Sequence, residues 1–126
     1  MKIMVRKQTP HERAKRGIIP TNDPVKDRAR TVHGLFRKFH YRLDESRRIQ
    51  MINKATEILE IGESDSIFDG RDPIVSGIAI FVYTCRRFSY ECKCRVTYKD
   101  IREEFVHFSS GESFVKMLLT LSSKFD

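Results

Sequence analysis

The sequence predicts an all-α chain of five helices packed as one bundle behind a basic, partly disordered N-terminal arm. Three observations lead there. Apolar residues recur at three- and four-residue steps from about residue 28 onward. Residues 74–85 are apolar around the whole circumference, the mark of a helix enclosed by its neighbours. No alternating pattern competes strongly, although residues 92–98 are compatible with an extended segment.

Residues 1–27 contain Pro10, Gly17, Pro20 and Pro24 and no amphipathic period, so an extended or disordered arm is expected there. The helical domain is then residues 28–126. Its first helix carries Ala29, Val32, Leu35, Phe36, Phe39 and Leu43 as an apolar stripe, with Arg28, Arg30, Arg37, Lys38 and Arg42 expected on the solvent side. A second helix begins after Asp44 as N-cap, buries Ile49, Ile52, Ala55, Thr56 and Leu59, and ends near Ile61 at Gly62. Asp72-Pro73 opens the third, an N-cap followed by proline at the first helical position. Its small residues Ser76, Gly77, Ala79 and Thr84 let neighbouring helices come close. Thr97 with Asp100 forms a capping box for a short fourth helix bearing Ile101, Phe105 and Val106. Ser109 with Glu112 repeats the device before a fifth, whose stripe is Phe114, Met117, Leu118, Leu121 and Phe125.

The 126 residues carry 24 Lys and Arg against 17 Asp and Glu, a formal charge of +7. That charge is unevenly spread: residues 1–48 hold 14 basic and 5 acidic side chains, the remainder 10 and 12, so the two parts stand at +9 and −2. Such an arm and first helix suit a polyanion, because phosphates neutralised by Lys and Arg release counterions. A solubilising surface is the alternative for a short cluster such as Arg13, Lys15 and Arg16.

No membrane span is expected, since residues 74–83 are about half the length a bilayer requires. The N-terminus lacks the apolar segment of a secretory signal, which points to an intracellular protein. Cys85, Cys92 and Cys94 are an odd number and read as free thiols. Cys92-x-Cys94 with His107 offers three soft ligands, but the paired C-x2-C knuckles of structural zinc sites are absent, so no metal and no cofactor is expected. His11, His33, His40 and His107 have no metal or acid–base spacing, although His33 and His40 are expected to share a helix face. No phosphate loop, nucleophile elbow or metal-carboxylate motif occurs, and the chain reads as a binding module, not an enzyme.

Gly70-Arg71-Asp72-Pro73, leading into a buried third of five helices, resembles one cyclin-like core repeat of the transcription factor IIB and archaeal transcription factor B family. Pro73, Gly77, Ala79, Phe81, Cys85 and Arg86 fall at that family's offsets, and Thr97 with Ile101 repeats its step into the fourth helix. The likeness spans about residues 30–125. It departs at the turn after helix four, which needs about two extra residues, and in the bulk of Ile78 and Ile80 on helix three; the family's aromatic sits one position before Tyr83. The sequence also contains neither a zinc ribbon nor a second repeat. The resemblance implies a cyclin fold and contact with promoter DNA, the TATA-binding protein or RNA polymerase. Whether two copies pair as a homodimer to imitate the two repeats stays open.

On this reading Arg28, Arg30, Arg37, Lys38 and Arg42, continued by Arg47 and Arg48, are expected to track a phosphate backbone. Arg86 and Arg87, with Lys93 and Arg95, form a second cluster, and Arg86 has an interior structural role as its alternative. Helices four and five form a helix-turn-helix-like pair whose Ser110, Ser113 and Lys116 are positioned to meet DNA. Glu112, Glu103 and Glu104 oppose phosphate there, and Ser109 with Glu112 reads first as a cap. The rival function is a cyclin-like adaptor or inhibitor that docks on polymerase or a basal factor without touching DNA.

Overall fold

A computed structural model of the chain describes residues 23–43, 45–88, 96–104 and 111–126. They form five α-helices and no strand: α1 (Pro24–Lys38), α2 (Glu45–Ser64), α3 (Pro73–Arg87), α4 (Tyr98–Glu104) and α5 (Glu112–Phe125), with one 3-10 turn at His40–Arg42. The all-α, five-helix expectation therefore holds among the described residues. The expectations for residues 1–22, for Asp44 and for the Cys92, Cys94, Phe105, Val106, His107, Ser109 and Ser110 stretches fall outside them.

α1 begins at Pro24, so the helix includes the last residues of the expected arm. Asp23 caps α1, its Oδ1 accepting from the N–H groups of Val25 and Lys26 at 3.1 and 3.2 Å, and Pro24 takes the first helical position. The same Asp-Pro device opens α3, where Asp72 Oδ1 accepts from Ile74 and Val75 at 2.8 and 3.0 Å. A capping carboxylate satisfies amides that have no helical partner, and proline gives up an N–H that would have been unpaired anyway.

The third helix is central, as its composition requires. All ten residues 76–85 of α3 are buried, and α1, α2 and α5 each pack on it. Phe81 meets Phe36 edge-on at 4.9 Å, with Phe39 at 6.2 Å, so the α1–α3 contact is aromatic at its C-terminal end. At the other end it is a close backbone approach. A Cβ on Gly77 would lie 2.8 Å from Thr31 Cβ and 3.0 Å from the Arg28 carbonyl oxygen.

Two expectations for the second helix are corrected. Gly62 does not end it: the helix runs on to Ser64, and Gly62 is buried inside it, where Phe68 folds back from the following turn. A Cβ there would come within 2.2 Å of the Phe68 ring, so the glycine serves packing. The buried face is also rotated from the expected one. Met51, Ala55, Ile58 and Leu59 point inward, whereas Ile49 is 69% exposed.

α5 docks through Phe114, Met117 and Leu121, with Leu118 and Phe125 partly buried beside them, matching the expected stripe. Its end is held by Asp126, which accepts hydrogen bonds from the hydroxyls of Tyr83 and Ser122. Burial, and then the bond to Asp126, push the Tyr83 phenol up to about 12. Gly111 occupies the N-cap position of α5.

Because α1 cannot retreat from α3 without opening the Phe36–Phe81 contact, we expect Gly77→Ala to destabilise the fold by about 1–3 kcal/mol despite alanine's better helix propensity. Urea unfolding followed by circular dichroism measures this, and an unchanged midpoint would show that α1 and α3 separate freely.

Candidate nucleic-acid interface

The helical register of α1 divides its cations into two groups. Lys26, Arg30 and Arg37 lie at i, i+4 and i+11, which at 100° per residue keeps them within one narrow stripe that spans about 16 Å. All three are exposed, and His33, half-buried, falls in the same row. Lys26 was not singled out from the sequence, because the helix was taken to begin after it. His40 leaves the helix for the 3-10 turn, where its Nδ1 lies 2.9 Å from the Arg37 carbonyl oxygen.

Arg28 belongs to the opposite side, a correction to its expected place on the solvent face. It is 3% exposed. Its Nε donates to Ser76 Oγ at 2.7 Å, its Nη1 pairs with Glu63, and its guanidinium lies over the Phe68 ring at 4.6 Å. The sequence did contain the signal: Arg28, Val32 and Leu35 stand at i, i+4 and i+7, so the arginine continues the apolar stripe. A buried guanidinium is tolerated because hydrogen bonds and an aromatic face replace its lost water.

Lys38 and Arg42 turn toward α4. Arg42 pairs with Asp100 at 2.5 Å, and Lys38 with Glu104 at 3.6 Å. Asp100 is also the far half of the expected capping box, accepting from the Thr97 N–H at 2.8 Å while its own N–H donates to Thr97 Oγ1 at 3.2 Å. The Thr97 amide first, then its hydroxyl and Arg42, hold the Asp100 carboxyl below the ordinary carboxylate range. The acidic α4 edge thus meets two of the cations expected to meet phosphate.

The remaining expected residues are dispersed. Arg47 and Arg48 are half-buried at the start of α2, and Arg47 Nη1 donates to Gln50 at 2.9 Å. Arg86 and Arg87 are exposed on the last turn of α3, where a cation complements the helix dipole, and Arg87 also acts on the Tyr83–Asp126 pair. On α5, Ser113 is exposed, while Lys116 is bridged to Glu112 at 2.9 Å, one turn earlier on the same helix. Ser110 lies outside the described residues.

One exposed side chain that sequence reasoning does not single out stands just beyond the end of α1. Tyr41, in the 3-10 turn four residues beyond Arg37, is 65% exposed. Arg42 lies over its ring at 5.5 Å and 5.9 Å from the Phe39 ring, and His40 meets it edge-on at 6.1 Å. Its spacing from Arg37 was the available clue.

No helix among the described residues is long and apolar enough to cross a membrane, and none of these residues forms a cluster of three or more metal-ligating side chains. No protein-family model, curated protein or solved structure matches the chain.

Two measurements check this division of charge. Arg28→Met is expected to cost about 2–3 kcal/mol in urea unfolding, the scale of a hydrogen-bonded charged group, while Arg37→Glu stays within about 0.5 kcal/mol. Asp100, with its depressed folded-state pKa, contributes stability that is present above about pH 4 and lost as pH falls through the folded value. Thermal melts between pH 6 and 2 are expected to show a shallower acid limb for Asp100→Asn than for the native chain.

Proposed function

We propose that this protein is a DNA-binding regulator of transcription initiation, similar to a single core repeat of transcription factor IIB, which meets promoter DNA or the initiation complex through its basic N-terminal surface. The observation that carries the reading is the exposed row Lys26, Arg30 and Arg37 on α1, directly downstream of a chain segment whose cations outnumber its acids. Supporting it are the helical plan with a central α3, whose residues 76–85 are all buried, and the Gly70-Arg71-Asp72-Pro73 sequence that leads into that helix. An intracellular location, in the cytoplasm of a prokaryotic host or the nucleus of a eukaryotic one, goes with this reading.

On this reading the phosphate-binding set is narrower than the basic residues of α1. Arg30 and Arg37 are its centre on the described surface, and Lys38 and Arg42 enter only by exchanging α4 carboxylates for phosphate. Arg28 has a structural role. Contacts of this kind position a protein on DNA without reading sequence. A second reading, a cyclin-like adaptor that docks on polymerase or a basal factor, is favoured by one observation: Val115 and Leu119 stand one turn apart and exposed on α5, Leu119 at 65%.

A mobility-shift titration at 50 and 200 mM salt, with and without the TATA-binding protein, separates the two. Binding that weakens steeply with salt is expected. The double change Arg30→Glu and Arg37→Glu is expected to lower the slope of log affinity against log salt by about 2, close to one per lost phosphate contact. No binding to any duplex at low salt would leave only the adaptor.

A further inference from the structure

We propose that Tyr41 is a stacking platform for an unpaired nucleobase, and that the α1 stripe with Tyr41 at its end forms a binding track for single-stranded nucleic acid. The inference rests on the polyanion reading of α1 and extends it from charge to base recognition.

Tyr41 stands apart from the other large aromatic side chains of α1 and α3. Phe36, Phe39, Phe81 and Tyr83 are buried in the core, whereas Tyr41 presents its ring to solvent at the end of a basic helix. The winding of α1 continues into the turn, with the Phe39 N–H donating to the Leu35 carbonyl at 3.0 Å and the Arg42 N–H to the Phe39 carbonyl at 2.9 Å. Tyr41 therefore lies just beyond the C-terminal end of the basic helix, four residues after Arg37.

The ring is also held. Arg42, anchored by Asp100, is placed between Phe39 and Tyr41, and His40, whose Nδ1 meets the Arg37 carbonyl, stands edge-on to Tyr41. An aromatic ring fixed by neighbours loses little conformational freedom when a base stacks on it. The Arg42 guanidinium supports the ring from one side, and the solvent-facing side is left to receive a base. In a duplex the faces of the bases are already occupied by their neighbours, so a platform of this kind adds affinity only where a base is unpaired. Exposed cations that follow a backbone, with an aromatic placed along them, are the combination that binds single strands.

The chain contains no tryptophan, so Tyr41→Trp would place the sole indole of the protein at the site. Binding of the full chain to a labelled 12-nucleotide oligothymidylate, to a 12-unit abasic strand of equal charge and to a 12-base-pair duplex is measured by fluorescence anisotropy at low salt. Tyr41→Ala is expected to weaken oligothymidylate binding at least about fivefold, the lower bound for one stacked base, and to leave the abasic strand and duplex unchanged. Tyr41→Phe is expected to retain the native affinity, and the Tyr41→Trp emission to be quenched by oligothymidylate and not by the abasic strand. Circular dichroism establishes that each variant is folded.

Native affinity for oligothymidylate in Tyr41→Ala, or an indole emission unchanged while anisotropy reports binding, would overturn the platform and leave the basic surface standing. An equal loss toward the abasic strand would overturn it too, assigning Tyr41 to the support of Arg42. Absence of binding to all three probes by the native chain would overturn both the platform and the polyanion reading beneath it.

Discussion

The fold turns on Arg28. Its carbonyl sits where α1 comes closest to α3, over Gly77, and its side chain reaches from α1 to Ser76 of α3, to Glu63 of α2 and across the ring of Phe68 in the turn between them. One residue thus fixes three helices and a loop. Burying a charge this way is unfavourable unless nearly every lost water contact is replaced, and here two hydrogen-bond partners and an aromatic face replace them. Ser76 can accept from Arg28 because its own hydroxyl proton is directed to the Asp72 carbonyl at 2.8 Å, one turn earlier on the chain. The arrangement therefore depends on α3 beginning where Asp72 and Pro73 start it.

This constraint sets the rotation of α1 and hence what α1 shows to solvent. With Arg28, Val32 and Leu35 turned inward, Lys26, Arg30 and Arg37 must face outward. Lys38 and Arg42 fall near α4 and pair with Glu104 and Asp100. Among the described residues, the ion pairs Arg28–Glu63, Lys38–Glu104 and Arg42–Asp100 each join a cation of the basic first part to a carboxylate of the acidic remainder. The charge asymmetry along the chain is partly a device of folding, which pairs the two parts across the bundle. The row of cations that α1 presents to solvent is narrower than the count of basic residues suggests, and an exposed aromatic ring stands just beyond its end.

Much of this was legible in the residues. The two Asp-Pro helix starts, the Thr97–Asp100 box, the all-apolar α3 and the α5 stripe are local patterns, because a cap needs only its own first turn and a stripe only its own period. What local pattern does not hold is long-range packing. Ile49 stays exposed and Gly62 lies inside α2 because α3, α1 and the returning Phe68 set which side of α2 is covered. Arginine prefers water, yet the helical phase of Arg28 lies with Val32 and Leu35, and the partners that reverse the preference, Glu63 and Ser76, are 35 and 48 residues away.

The sequence by itself determined that the chain is helical, where most helices begin, which one lies at the centre, and that basic charge gathers toward the N-terminus. Tertiary structure alone decided how each of those cations is placed, since Arg28 is buried only because packing brings Ser76, Glu63 and Phe68 around it, while Arg30 and Arg37 face solvent. It also decided that Tyr41 stays outside while Phe36, Phe39 and Phe81 go in. One 3-10 turn carries the chain past the edge of the core at that residue, and composition holds no record of where that edge lies.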